Sequence, residues 1–285
     1  MLVTGKEILQ HAHENGYAVG AFNVNTMEQV QAIIEAAEET NSPVIIQASQ
    51  GGLKYAGVEY IAAMVKVAAE KTSVPVALHL DHGTDFKQIM LCLRNGFTSV
   101  MIDGSHYELE ENIKKTRQIV EMAHAVGVSV EAELGKIGGT EDDISVDEKD
   151  ATFTDPDEAE RFVKETEVDY LAIAVGTAHG PYKGEPKIDF DRIKTIKERL
   201  NMPIVLHGSS GVPEESIKKA VSLGINKINI DTDIRMAFHR AVKEFIKNNP
   251  DVYDPRKILG PCKVEMKNVI ADKMRMFGAA GKAWK

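Results

Sequence analysis

The chain has 285 residues, is 43% hydrophobic and 27% charged, and carries a formal net charge of −9. That acidity argues against non-specific binding to nucleic acid or anionic membranes, and any phosphate would have to be held by local donors. Two cysteines far apart, Cys92 and Cys262, form no CxxC pair, which excludes a disulfide framework or a cysteine-zinc site.

The first residues include Lys6, Glu7, His11, His13 and Glu14 without an apolar run, so no secretory signal is expected. No later segment reaches the ~18 apolar residues of a membrane span, and the expected location is the cytoplasm. From there, short β-branched runs alternate with stretches of helical period. Strands are predicted at 18–24, 43–49, 75–81, 99–103, 128–134, 170–175, 203–207 and 227–231. Helices are predicted between them at 27–40, 58–71, 108–126, 157–166, 190–200 and 214–223. Strands alternating with helices make a parallel sheet with right-handed crossovers. The turn after the first strand, Phe22 to Thr26, lacks GxGxxG, which disfavours an open dinucleotide-binding sheet. The expected fold is α/β: a single (β/α)8 TIM barrel over residues 1–285, with 249–285 as a C-terminal helical extension.

One stretch breaks the alternation. Residues 135–155 show no clear period and carry Glu141, Asp142, Asp143, Asp147, Glu148 and Asp150. This is either a solvated excursion or a loop over the barrel mouth that brings in a catalytic carboxylate.

The polar residues gather at the carboxyl ends of the predicted strands, the active face of such a barrel. His82, His179 and His207 stand at three of these ends, and three neutral imidazoles with an open fourth position suit a catalytic zinc. Asp81, next to His82, is placed either to move a proton or to orient a histidine, and His79 alternates with Asp81 toward one face. Glu131 and Glu133 share a strand face; buried carboxylates need a partner, so a cation or basic residue must be near. Asp103 and Glu133 are candidates for a second metal or for a hydrogen-bond network. Gly180, Gly208, Ser209 and Ser210, with Asn229, Ile230, Asp231 and Thr232, supply amides and small residues where barrels hold phosphate. Lys183 lies in a loop and Lys227 at the start of a strand, so no buried lysine is expected for Schiff-base chemistry.

In order, the chain carries AFNVN at 21–25, HLDHG at 79–83, VMIDGS at 100–105, EAELGKIGGTEDD at 131–143, GTAHGPYKGEP at 176–186, VLHGSSGVP at 205–213, KINIDTD at 227–233 and YDPR at 253–256. With these motifs it resembles the class II, zinc-dependent fructose-1,6-bisphosphate aldolases along essentially its whole length. The resemblance implies reversible cleavage of fructose 1,6-bisphosphate to dihydroxyacetone phosphate and glyceraldehyde 3-phosphate through a zinc-stabilised enediolate, a step of glycolysis and gluconeogenesis. It implies catalytic zinc on His82, His179 and His207, and a second, structural ion at Asp103 and Glu133. Asp81 would be the acid/base at the C4 oxygen, and Glu141 would move the proton at C3 of dihydroxyacetone phosphate. Gly180, Gly208, Ser209, Ser210, Asn229, Ile230, Asp231 and Thr232 would bind dihydroxyacetone phosphate. Asn23 and Ser49 would contact the other half, and Lys183 is a further substrate contact. Arg256 would grip the distal phosphate, from its own or a neighbouring subunit. A monovalent cation (K+ or Na+) and a homodimer or homotetramer are also implied, with no nucleic-acid or membrane partner.

NIDTD at 229–233 looks more like the fructose branch, while GTAHGPY and PKIDF also occur in close form among tagatose-1,6-bisphosphate aldolases, the alternative substrate class. A zinc hydrolase on the same barrel would not need the phosphate-binding turns, and a non-catalytic sugar-phosphate sensor would dispense with Asp81 and Glu141.

Overall fold

The computed structural model describes residues 1–141, 144–147, 151–182 and 184–284, and at 141, 144 and 145 the backbone alone. In chain order its elements are α1 (Gly5–Asn15), β1 (Val19–Asn23), α2 (Met27–Thr40), β2 (Val44–Ser49), α3 (Gln50–Ala56), α4 (Val58–Lys71), β3 (Val76–Gly83), α5 (Phe86–Arg94), β4 (Ser99–Ile102), α6 (Leu109–Ala125) and β5 (Ser129–Leu134). Then come β6 (Gly138–Glu141), β7 (Ile144–Val146), α7 (Pro156–Thr166), β8 (Tyr170–Ile173), β9 (Ala178–His179), α8 (Phe190–Leu200), β10 (Ile204–Leu206), α9 (Glu214–Ser222), β11 (Ile225–Ile230), α10 (Thr232–Asn248) and α11 (Pro255–Met276). β1, β11, β10, β8, β5, β4, β3 and β2 close in that order into a parallel barrel. All eight predicted strands are present, and the predicted helices correspond to α2, α4, α6, α7, α8 and α9. Among the described residues no helix is long and apolar enough to cross a membrane.

The barrel is buried on both faces. Outward residues such as Val44, Ile46, Val130, Leu171 and Ile228 join the inner faces of the helices in one apolar layer, as a sheet covered by helices requires. α1, which carries His11 and His13, closes the amino end. Its Thr4 cap accepts from Glu7 N at 3.1 Å while Glu7 Oε2 accepts from Thr4 N at 2.8 Å, a reciprocal cap that fixes the helix start. Ile8, Leu9 and Ala12 then pack on the inward residues Ala21, Ile45, Ala77, Tyr170, Ala172 and Val205. The lower barrel is therefore largely apolar, apart from the hydroxyls of Ser99, Ser129 and Tyr170, which cluster against Gly5 of α1.

Two departures from regularity shape the upper face. Between Leu80 and Gly83 the β3–β4 register shifts, so that Leu80 pairs with Val100 but Gly83 with Ile102. The extra residue is a β-bulge, and within it His82 adopts φ +48°. Strict alternation would send Asp81 and His82 to opposite faces; the bulge turns both inward. The second departure corrects the expectation of an aperiodic 135–155 stretch. β6 pairs antiparallel with β7 and parallel with β9, forming a small separate sheet.

Candidate active site at the carboxyl end of the barrel

β3, β10 and the small sheet bring His82, His207 and His179 together. The His82 and His207 rings stand nearly perpendicular, 4.6 Å apart, and His179 lies 5.0 Å from His82 and 5.9 Å from His207. One nitrogen of each lies within 4.8 Å of the others, so the three could hold one metal ion. His179 does not sit at the end of β8, as the sequence had suggested, but on β9, paired with Gly139.

The donor set fits a metal on its own chemistry. His82 Nδ1 donates to Asp103 Oδ2 and His207 Nε2 to Glu131 Oε1, both at 2.8 Å. With those nitrogens protonated, His82 Nε2 and His207 Nδ1 present lone pairs to each other at 2.9 Å. Two lone pairs at that separation repel unless a cation lies against them, and carboxylates behind the imidazoles are the usual support of metal-binding histidines.

The carboxylates differ sharply. Burial opposes ionisation of Glu131, but Lys227, His207 and His79 outweigh it and hold its pKa well below the ordinary carboxylate range. Burial likewise opposes ionisation of Asp103, and the bonds from His82 and Ser105 overcome it, lowering its pKa. Glu133 goes the other way: burial and the neighbouring Asp103 push its pKa well up. Glu133 Oε2 is buried without a hydrogen-bond partner among the described residues. His82, Asp103 and Glu133 form a second group close enough to hold a cation. Asp103 already serves His82 and accepts from Ser105 N and Oγ at 3.1 and 2.7 Å, so the hydrogen-bond network is real whether or not an ion joins it.

Asp81 is fully buried and accepts three amide hydrogen bonds. Asn23 Nδ2 and Gln47 Nε2 reach Oδ2 at 2.9 and 3.0 Å, and Asn229 Nδ2 reaches Oδ1 at 3.1 Å. Its Oδ1 is 4.0 Å from His82 Nε2.

Beside this centre a polar cavity is lined by Asn23, Thr140, His179, Gly180, residues 208–210, Asn229, Asp231, Thr232 and Arg235. Most residues predicted to contact substrate therefore meet here. Ser49 is buried, pairs in register with Asp81, and accepts from Gly52 N at 3.1 Å. Ile230 sends its side chain into the outer apolar layer. Arg256 stands apart, 90% exposed and paired with Asp254. The Glu141 side chain and Lys183 lie outside the described residues. Sequence reasoning missed Thr140 and Arg235, whose Nε is 2.8 Å from Asp231 Oδ1. One helical turn after Asp231 is where such a partner could have been sought.

It also missed Lys227. Contrary to the expectation of no buried lysine, Lys227 is fully buried inside the barrel, its Nζ 2.8 Å from Glu131 Oε2. This is the cation that the inward Glu131 demanded.

Imidazole nitrogens that could share one metal ion, at the carboxyl end of a closed parallel barrel, are the equipment of a metal-assisted barrel enzyme. The chain belongs to the class II fructose-bisphosphate aldolase family, aldehyde-lyases that work with a metal ion, whose family model matches residues 3–282. It is 50% identical to a fructose-bisphosphate aldolase of Thermus caldophilus, over 99% of this chain and all of the relative. It is 46% identical to a sulfofructosephosphate aldolase of Alkalicoccus urumqiensis, over 99% of this chain and 98% of the relative. Among solved structures, the YdjI aldolase from Escherichia coli K12 superposes with a TM-score of 0.88 at 36% identity, covering all of both chains.

Proposed function

We propose that this chain cleaves fructose 1,6-bisphosphate reversibly into dihydroxyacetone phosphate and glyceraldehyde 3-phosphate, with zinc on His82, His179 and His207. The observation that carries this reading is the facing pair of imidazole lone pairs, each backed by a carboxylate, beside the amide-clamped Asp81. It is supported by the 50% identity to an aldolase named for that substrate. The relatives of about 50% identity are named for fructose bisphosphate, which disfavours the tagatose alternative.

Cleavage breaks the C3–C4 bond. The C4 hydroxyl loses its proton, its oxygen becomes the aldehyde carbonyl, and the electron pair stays on C3 until a proton arrives. A bound zinc would act as a Lewis acid, stabilising negative charge that develops on the ketone half. Asp81, held in place by Asn23, Gln47 and Asn229, takes the C4 hydroxyl proton. Glu141, at the end of β6 beside the cavity-lining Thr140, delivers the proton to C3. The turn at 208–210 and the start of α10 offer amides to the phosphate of the dihydroxyacetone half, a use of helix-terminal donors that does not need a basic surface. A K+ or Na+ ion beside these turns, and a second metal at Asp103 and Glu133, belong to the same reading. So do a homodimer or homotetramer, in which the exposed Arg256 could reach a neighbour's distal phosphate, and a cytoplasmic location.

Triose phosphate release tests the proposal, measured with and without a chelator and on three substrates: fructose 1,6-bisphosphate, its tagatose epimer and sulfofructose phosphate. A preference for fructose bisphosphate over its tagatose epimer of about tenfold or more in kcat/KM is expected, because one hydrogen bond lost at C4 is worth roughly 1–3 kcal/mol. Equal or reversed values would reassign the substrate, and chelator-resistant turnover would remove zinc from the reading.

A further inference from the structure

Lys227 has no task in the chemistry above, yet it stands at a fork. Its Nζ lies 2.8 Å from Glu131 Oε2, and the other oxygen of that carboxylate accepts from His207 Nε2 at 2.8 Å. The same Nζ donates to Asn229 Oδ1 at 2.8 Å, and the amide nitrogen of Asn229 donates to Asp81 Oδ1 at 3.1 Å. One intervening residue separates the ammonium from His207 on one path and from Asp81 on the other. We propose that Lys227 is a positioning residue that sets His207 for the metal and Asp81 for proton transfer at the same time, an inference that rests on the roles assigned to those two above.

The argument is one of donors and acceptors. An ammonium has three donors and no acceptor, so it obliges Asn229 to point its oxygen at Lys227 and its NH2 at Asp81. Were Asn229 to turn over, its carbonyl oxygen would face the Asp81 carboxylate and repel it. The ammonium also holds the buried Glu131 carboxylate in one orientation, with Nζ 2.8 Å from Oε2 while Oε1 faces His207 Nε2. Held in that orientation, Oε1 engages His207 Nε2 and leaves Nδ1 facing His82 Nε2 as the ligand atom; a carboxylate free to turn would no longer aim the imidazole. His79 does not substitute for Lys227. It lies farther off, 3.3 Å from Glu131 Oε2, its Nδ1 is engaged with Ser99 Oγ at 2.6 Å, and among the described residues it makes no link to Asn229.

The rival account is that Lys227 only balances the buried charge of Glu131 so that the barrel can fold. Two variants separate the accounts: Lys227→Met, and Lys227→Met combined with Glu131→Gln, which removes both charges. Zinc affinity is measured by competition with a chromogenic chelator on protein shown to be folded by near-ultraviolet circular dichroism. At saturating zinc, fructose bisphosphate cleavage is compared with exchange of the C3 hydrogen of dihydroxyacetone phosphate, which does not need Asp81. Both variants should bind zinc about 10–100-fold more weakly, and cleavage should fall at least about tenfold further than exchange. Wild-type zinc affinity with an unchanged cleavage-to-exchange ratio in the folded double variant overturns the proposal, as does failure of both variants to fold. His207→Ala is the control on the underlying reading: if it binds zinc as the wild type does, the ligand assignment fails, independently of Lys227.

Discussion

Gly139 holds β6 against the strand that carries His179, and Gly139→Ala tests how closely that contact sets the site. A Cβ at Gly139 would stand 2.2 Å from the carbonyl oxygen and 2.7 Å from the nitrogen of His179, where ordinary contact begins at 3.4 Å. The strands must therefore part by about 1.2 Å, the difference between 3.4 and 2.2 Å. The backbone is at φ +98°, which costs a residue with a Cβ about 1–3 kcal/mol, and two lost ladder bonds add about 0.5–1.5 kcal/mol each. The total of roughly 2–6 kcal/mol falls on the small sheet and not on the barrel. Metal sites tolerate ligand displacements of about 0.2 Å, so zinc affinity should drop at least about tenfold. kcat/KM should drop about 10²-fold, as misplacement by 1 Å does. The zinc-free unfolding midpoint should move little. Gly184→Ala, where an added Cβ meets nothing within 4 Å, is the control. Chelator competition and steady-state kinetics provide the assay, and unchanged affinity and turnover in Gly139→Ala would refute the reasoning.

Chelation should abolish activity and zinc should restore it, while borohydride with dihydroxyacetone phosphate should leave every lysine unmodified; a reduced adduct seen by mass spectrometry, on Lys227 above all, would end the metal mechanism. Glu141→Ala should lose C3 exchange and turnover together, whereas Asp81→Asn should lose roughly 10²–10⁴-fold in cleavage and keep substantial exchange; full exchange in Glu141→Ala would return β6–β7 to a surface role. At the amino end, His13 Nδ1 accepts from Lys197 Nζ at 2.7 Å, and burial and that cation lower the His13 pKa from 6.5. The unfolded chain thus binds this proton first, so the stability contribution is present above pH 6.5 and is lost as pH falls below it. His13→Gln, which keeps an acceptor without a titration, should flatten this part of the denaturation midpoint's pH dependence; an unaltered slope would show that the histidine is not responsible.

The alternation of β-branched runs with helical periods made the barrel legible, because strands buried on both faces must be apolar almost throughout. The bounds of α1 were harder to read because it is mostly polar, although Thr4 with Glu7, followed by Ile8, Leu9 and Ala12, was a readable start signal. Lys227 escaped because a lysine in a strand reads as surface. Period two nevertheless put it on the face of Asn229, and the inward Glu131 had asked for a cation. The β3 bulge could only be read as a contradiction: Asp81 and His82 are consecutive, and a regular strand cannot point both inward. The β6–β7 hairpin left no usable period because each strand is short and glycine or threonine fills much of β6.

Two of the three imidazoles ride on the barrel, and the third rides on an appended sheet whose other members are β6 and β7. If one ion joins all three, its binding energy is shared with the docking of that sheet, and the sharing is reciprocal. Any contact that favours the docked hairpin, including one made by substrate, must tighten the metal by the same factor by which the metal favours docking. The amides of 138–141 should then exchange with deuterium more slowly as zinc is added, while those of β1 and β2, deep in the barrel, report global unfolding instead. The metal's dissociation constant is in that sense a gauge of how firmly the mouth of the barrel is roofed.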